Sequence, residues 1–294
     1  MRILSPQALF VLTHPWEFTL GTLKAFRAHQ GVLLAGAVAY YALLSIVPLL
    51  ILFVIALSHL VDQAELLQTL GRYLEWLVPS QSKAIVAELA NFLENRGVIG
   101  GVLGLTMLFF SSLGFAVLDK AMSVIFYHRL ATHQRHFLVS ALLPYCYILV
   151  LGVGLLFITL AASAFQAIGQ ERVDILGHSW SLRGVSGLLL YLLGLVGEIA
   201  AVSSVYYVMP VGRLSLHHAL IGGVTASLLW EIVRHALVWY FATLSQASVV
   251  YGSLTTAIVV LVSLETGAIL LLFGAQVIAE YERIPGPQSG NPSR

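Results

Sequence analysis

Charged residues are scarce in this chain of 294 residues, because Asp, Glu, Lys and Arg together make up 10% of it. A soluble domain usually carries about 25%. Hydrophobic residues reach 59%, and the mean hydropathy is +0.89. A globular core of this size cannot hide so much apolar surface, so the composition predicts a protein solvated by the lipid bilayer. The formal net charge of +1 lacks the basic excess of a nucleic-acid binder, so we expect no nucleic-acid partner.

Cysteine and the common catalytic motifs are also missing or nearly so. Cys146 is the single cysteine, which excludes an intrachain disulfide. The chain has no Walker A loop and no HExxH, GxSxG or paired CxxC motif. His128, His133 and His136 cluster between arginines, and we interpret them as part of a solvated loop rather than as a metal site. The sequence therefore predicts no catalytic residue, no metal and no cofactor.

Long apolar runs dominate what is present. A bilayer core needs about 20 mostly apolar residues per helix. Six stretches qualify, at about 31–60, 98–118, 137–168, 185–208, 219–241 and 253–279. The sequence predicts an all-α polytopic membrane protein, with a bundle of six transmembrane helices in one membrane domain at residues 1–284.

The regions outside these spans are short. Residues 61–97 repeat apolar residues at helical spacing on either side of Pro79, which predicts an amphipathic helical hairpin outside the cytoplasm. This hairpin either caps the bundle or packs on the bilayer surface. Residues 16–28 resemble an interfacial helix with Trp16, Leu20 and Leu23 on one side. The Pro/Gly/Ser-rich tail at 285–294 is predicted to be disordered.

Basic residues flanking the spans predict the orientation, because cytoplasmic loops carry an excess of Lys and Arg. The side that contains the N-terminus holds nine: Arg2, Lys24, Arg27, Lys120, Arg129, Arg135, Arg213, Arg283 and Arg294. The other side holds five: Arg72, Lys83, Arg96, Arg172 and Arg183. This bias predicts that both termini lie in the cytoplasm.

Ionisable residues inside the last three spans are the strongest functional signal. Glu198 lies in the fourth span, Glu231, Arg234 and His235 in the fifth, and Glu265 in the sixth. Helical rise places the three carboxyl groups at depths of roughly 15–21 Å, close to the bilayer midplane. A charge there costs at least about 2.5–3.5 kcal/mol, so these side chains should face the bundle.

Two interpretations of these carboxyl groups stay open. Glu231 and Arg234 are three residues apart on one helix and can pair, whereas Glu198 and Glu265 lack an obvious basic partner at their depth. The two are either protonated groups bonded to neighbouring helices or members of a transport-related cluster facing water, a cation or a substrate.

The first span combines a proline with small residues. Pro48 lies in its middle and favours a kink. Gly31, Ala35, Ala39 and Ala42 recur at a spacing that lets another helix approach closely. The span is either a kinked packing helix or a broken helix that lines a cavity.

Three stretches of the chain carry a recognisable pattern: LAGAVAYYALLSIVPLL at 34–50, YYVMPVGRLSLHHALIGGVTASLLWEIVRHAL at 206–237 and YGSLTTAIVVLVSLETGAILLLFGAQVIAEY at 251–281. In this order they resemble the YihY/virulence factor BrkB family of bacterial inner-membrane proteins, once misnamed ribonuclease BN. The matching positions include Tyr40, Tyr41, Ser45, Pro48, Pro210, Glu231, Tyr251 and Gly252. Two positions depart from the family pattern: Gln276 stands where members usually have Glu, and Glu265 lies where members tend to have aromatic residues.

The resemblance implies a six-helix protein of the bacterial inner membrane with both termini in the cytoplasm. The leading functional hypothesis is a transporter or exporter of a small solute, a lipid or an envelope component. The alternative is a non-catalytic assembly or structural factor of the envelope. A ribonuclease is least favoured, because the chain offers no basic, metal-binding cleft. The expected partners are the lipid bilayer and a lipid or small-molecule substrate, whereas the sequence does not indicate an oligomeric state.

Overall fold

The computed structural model describes residues 6–57, 96–127, 172–175, 178–181, 183–209, 214–244 and 254–284, with isolated positions between 64 and 91 and at 145, 147 and 154. Within these residues the chain forms seven helices. They are α1 Pro6–Thr13, α2 Pro15–Ala28, α3 Gly31–Leu57, α4 Arg96–Ile125, α5 Arg183–Val208, α6 Leu216–Leu244 and α7 Leu254–Arg283.

Four of these helices are long and apolar enough to cross a membrane. Their qualifying segments are Gly104–Ile125, Gly187–Val208, Leu216–Leu237 and Ile258–Arg283. A fifth span arises if α2 and the first part of α3 count as one bent segment. Four or five spans thus lie in the part of the chain that the structure describes, and the predicted third span at 137–168 lies almost wholly outside it.

The junction of α2 and α3 is a sharp corner. Pro15 suits the start of α2, because its missing N–H would be unbonded there anyway. The helix ends where Gln30 adopts a positive φ of 53°. The axes of Pro15–Ala28 and Gly31–Ile46 then differ by 61°. A side chain on Gly31 would collide with the Phe26 ring, so the corner requires glycine at that position.

Residues 16–28 lie in α2, which has an uneven exposure, and their predicted position at the membrane interface stays a prediction. Trp16 and Leu23 are exposed, whereas Thr22 and Phe26 are buried. α3 runs on through Pro48 as one helix, and the kink predicted at that proline stays a prediction. Ala35 and Ala39 are almost fully buried, which agrees with the small-residue face that the sequence predicted.

The chain divides into two compact units, one of Met1–Gly36 with Leu118–Arg294 and one of Ala37–Val117. In the first unit α6 packs against both α5 and α7, and α2 packs against α7. The second unit contains most of α3 and of α4. The predicted hairpin at 61–97 falls mainly outside the described residues, as does the tail at 285–294.

Two features differ from the predicted all-α fold and its spans. Arg172–Ile175 and His178–Ser181 pair as an antiparallel β-hairpin, with Val173 opposite Trp180. Only two residues separate these strands, which is a common hairpin connection. The hairpin was not predicted, because it is much shorter than the apolar runs by which the spans were identified. The second predicted span also ends too early, because α4 continues to Ile125.

Candidate functional site

Polar side chains meet where α5 and α6 pack together. We call this set the polar seam: Glu198 from α5, with Ser227, Glu231 and Arg234 from α6. The Glu198 carboxyl faces the Ser227 hydroxyl and lies within electrostatic reach of Glu231 and Arg234. Glu198 is about 15 Å along its helix from the end at Val208, and Glu231 about 22 Å from the start at Leu216. Both are therefore far from the ends of their helices.

Glu231 and Arg234 form the ion pair that their spacing predicted. Arg234 Nη2 lies 2.8 Å from Glu231 Oε2, and the Arg234 side chain is 46% exposed against 13% for Glu231. His235 Nδ1 lies 2.7 Å from the Glu231 carbonyl oxygen, so the imidazole donates to its own helix. The seam contains two carboxyl groups and one guanidinium. Its formal charge is therefore −1 when both carboxyl groups are ionised.

The Ser227 hydroxyl of the seam is buried. Ser227 is 0% exposed, and its Oγ lies beside the Glu198 carboxyl without a hydrogen bond of ordinary geometry to any residue that the structure describes. Buried polar groups are nearly always satisfied by protein or water. The seam therefore offers a hydroxyl beside the Glu198 carboxyl that water or a ligand can engage.

Glu265 lies apart from the seam. A methyl group placed on Gly36 would be 3.7 Å from Glu265 Oε1, so this carboxyl faces the start of α3. It forms no hydrogen bond or ion pair with any residue that the structure describes. The three carboxyl groups that hydropathy placed at one depth thus divide into a pair at the α5–α6 interface and a single group near α3.

The end of the α5–α6 interface next to the connection between these helices is packed far more closely than the polar seam. A side chain on Gly274 would collide with the Tyr206 hydroxyl, and one on Gly222 with Ile278. A side chain on Gly223 would collide with Ser203. Tyr206 is fully buried and donates to the Leu271 carbonyl at 2.6 Å. These contacts bring α5, α6 and α7 together backbone to backbone, as small residues allow in membranes.

Gln276, which stands at a family-motif position, belongs to this packed end. It is fully buried, and its Oε1 lies 2.9 Å from His29 Nδ1. Its Nε2 donates to Glu280 at 3.2 Å, and Arg283 donates to the same carboxylate at 2.9 Å. The amide therefore ties the corner between α2 and α3 to the last turns of α7.

Ser45 is a packing residue of the second unit. Its Oγ accepts the N–H of Gly114 at 2.9 Å and lies 2.9 Å from the Phe110 carbonyl and 2.7 Å from the Tyr41 carbonyl. The hydroxyl thus joins the 110–114 turn of α4 to α3. Tyr40 is 57% exposed and packs edge-on against Tyr41. Pro210, Tyr251 and Gly252 lie outside the described residues.

Several contributors to these sites were missed by sequence reasoning. Ser203, Tyr206, Gly223, Ser227 and Gly274 attracted no attention because single small or hydroxylated residues are common in transmembrane helices. Spacing carried a signal for part of this set. Gly223, Ser227 and Glu231 follow one another at intervals of four residues, which places all three on one face of α6.

These features define the class of protein: a helical membrane protein whose helices expose apolar residues and enclose a few polar ones. The family model for virulence factor BrkB matches residues 22–294, and the chain belongs to that family.

Relatives in three bacteria are named UPF0761 membrane proteins. The one from Alkalilimnicola ehrlichii is 29% identical over 270 residues, which is 90% of this chain and 59% of the relative. The one from Vibrio parahaemolyticus is 27% identical over 83% of this chain and 76% of the relative. The one from Methylibium petroleiphilum is 28% identical over 92% and 63%. The chain thus spans about three fifths of the length of the first and third. No solved structure matches it.

Proposed function

We propose that this protein is a transporter of the bacterial inner membrane, with both termini in the cytoplasm, and that the polar seam binds the species it moves or a coupled ion. The observation that carries the proposal is the Glu198 carboxyl, held beside the buried Ser227 hydroxyl and near Glu231. Ionisable groups inside membrane spans are costly, and they typically mark ion or substrate pathways.

The charge of the seam favours a cationic or proton-carrying species. Arg234 offsets one carboxylate through its 2.8 Å contact with Glu231, which leaves the charge of Glu198 without a basic residue of its own. A proton or a cation at Glu198 would offset that charge, and the Ser227 hydroxyl adds an oxygen ligand. A small solute, a lipid or an envelope component could then move in exchange or together with this ion.

A transport site has to be reached by water, and a cysteine placed in the seam tests this directly. In a Cys146→Ser background, we expect Ser227→Cys to react with a membrane-impermeant thiol reagent, because only a hydrated thiol forms the reactive thiolate. The matched control is Ala226→Cys, since Ala226 is equally buried but lies against Gly274 of α7. We expect the rate at position 227 to be about tenfold higher or more. Equal rates at the two positions would contradict a hydrated seam.

The carboxyl groups themselves are tested by amide substitution. In a strain of the source bacterium that lacks this protein, we expect neither Glu198→Gln nor Glu231→Gln to restore the wild-type phenotype. Both variant proteins should still insert into the membrane at wild-type levels. The control is Glu17→Gln, which removes an exposed carboxylate from the first turn of α2. Full complementation by both seam variants would refute the transport proposal.

The second candidate function, an envelope assembly or structural factor, is favoured by the separate position of Glu265. A single polar pathway would be expected to gather all three carboxyl groups, and Glu265 faces Gly36 instead. In this case the working surface would be the predicted hairpin at 61–97. Deleting that hairpin would then abolish complementation, while Glu198→Gln and Glu231→Gln would retain it.

A further inference from the structure

An apolar groove opens at the corner between α2 and α3. Its volume is about 770 Å³, within the range of small-molecule sites. Side chains of α2, α6 and α7 form most of its wall, among them Leu23, Phe26, Leu229, Ile269, Leu270 and Phe273. The wall is thus almost entirely hydrocarbon, which suits a flexible alkyl chain.

The groove wall includes two polar side chains, Arg27 and Gln30. Arg27 is exposed and pairs with no carboxylate among the residues that the structure describes. A guanidinium forms strong charge-assisted hydrogen bonds to phosphate oxygens. The groove therefore combines a hydrocarbon wall with a cation that suits a phosphate.

The exposed side chains of α2 suit a helix that lies at a membrane surface. Trp16 and Leu23 are exposed, as in helices of the membrane interface, and the axes of α2 and the first part of α3 differ by 61°. Arg27 lies in the last turn of α2, so a bilayer with α2 at its surface would bring lipid phosphates next to this guanidinium.

We propose that the groove binds an anionic phospholipid of the adjacent leaflet. One acyl chain fills the space between Phe26, Leu229 and Phe273, and the phosphate contacts Arg27. The bound lipid stabilises the corner that His29 and Gln276 connect to α7. This site is independent of the proposed transport function, because it shares no residue with the polar seam.

The charge requirement is tested by native mass spectrometry of the full-length protein with phosphatidylglycerol or phosphatidylcholine of identical acyl chains. We expect wild type to bind phosphatidylglycerol more tightly, and Arg27→Gln to weaken that binding about fivefold, that is by about 1 kcal/mol. The matched control is Lys24→Gln, which removes the same charge from the same helix without touching the groove wall, and it should change binding less than twofold. Equal losses in the two variants would mean simple attraction to a basic surface and would overturn the site.

The acyl-chain contact is tested by filling the groove. Leu229→Trp places an indole in the space, whereas Leu228→Trp places the same side chain at a position that is 50% exposed and outside the groove. We expect only the first variant to lose the tightly bound lipid, with both eluting as the wild type does in gel filtration. Unchanged lipid binding in Leu229→Trp would overturn the proposal. A loss of protein dimers instead of lipid would also overturn it, because the groove would then hold a second copy of the chain.

Discussion

The two ends of the interface between α5 and α6 differ in what fills them. Near the connection between these helices, Gly223 lies directly against Ser203, and the Tyr206 hydroxyl crosses to Leu271 of α7. Further along the same interface, Glu198 faces Ser227 and Glu231. The first region, which we call the packed end, has no room for one added methyl group, whereas the polar seam leaves a buried hydroxyl without a hydrogen bond of ordinary geometry to the described residues.

This difference indicates that the two regions of one helix pair have different roles. Close contact at glycines maximises van der Waals packing, which drives helix association in a membrane. Buried polar groups without partners weaken it. The packed end is therefore expected to stabilise the bundle, and the polar seam is expected to cost stability in exchange for function.

The largest effect on stability should come from the packed end. Gly274→Ala would force a methyl group against the Tyr206 hydroxyl, which lies too close to accommodate it. We expect a loss of about 1–3 kcal/mol in the free energy of unfolding, as for other overpacked cores, measured by SDS titration in mixed micelles. The matched control is Gly267→Ala on the same helix, where the nearest atom is 4.0 Å away, in the Trp230 ring. Equal losses at positions 267 and 274 would show that the packed end is not the stabilising contact.

A smaller effect should follow from removing one hydroxyl there. Tyr206→Phe deletes the 2.6 Å hydrogen bond to the Leu271 carbonyl and keeps the shape of the side chain. We expect a loss of about 0.5–1.5 kcal/mol in the same titration. Tyr207→Phe serves as the control, because Tyr207 is the adjacent residue and is 49% exposed. A loss at position 207 as large as that at 206 would contradict the role of the hydrogen bond.

The smallest effect on stability should come from the polar seam. Ser227→Ala removes a fully buried hydroxyl that lies beside the Glu198 carboxyl without a hydrogen bond of ordinary geometry to the described residues, so the free energy of unfolding should change by no more than about 0.5 kcal/mol or rise slightly. Complementation of the deletion strain should nevertheless decrease. A loss of stability above about 1 kcal/mol would mean that Ser227 belongs with the packed end.

Much of the fold could be predicted from composition and hydropathy. The apolar runs located the helices that contain Glu198, Glu231 and Glu265, and the three-residue spacing of Glu231 and Arg234 predicted an ion pair that the structure contains. Sequence spacing within one helix is enough for such a contact, because both side chains share a backbone of known geometry. The β-hairpin at 172–181 was not predicted, since eight paired residues carry little periodic signal.

The candidate sites were predicted only in part, because they depend on contacts between helices. Counting helical rise placed the three carboxyl groups at a similar depth. The depth of a residue in a helix does not show the direction in which its side chain points. Gln276 appeared as a departure from the family pattern, and only its contact with His29 gives it a structural role. The groove beside Arg27 combines residues from four helices and has no signature in any one of them.

The sequence by itself determined that the protein belongs in a membrane, and it located the long apolar helices that the structure describes and the charged residues within them. These properties follow from local composition, because each helix satisfies its own backbone hydrogen bonds and exposes its apolar side chains to lipid. The tertiary structure alone decided that Glu198 meets Ser227 and Glu231 while Glu265 faces Gly36. Rotation and crossing of helices are set by packing at glycines such as Gly223 and Gly274, and that packing joins residues far apart in the chain.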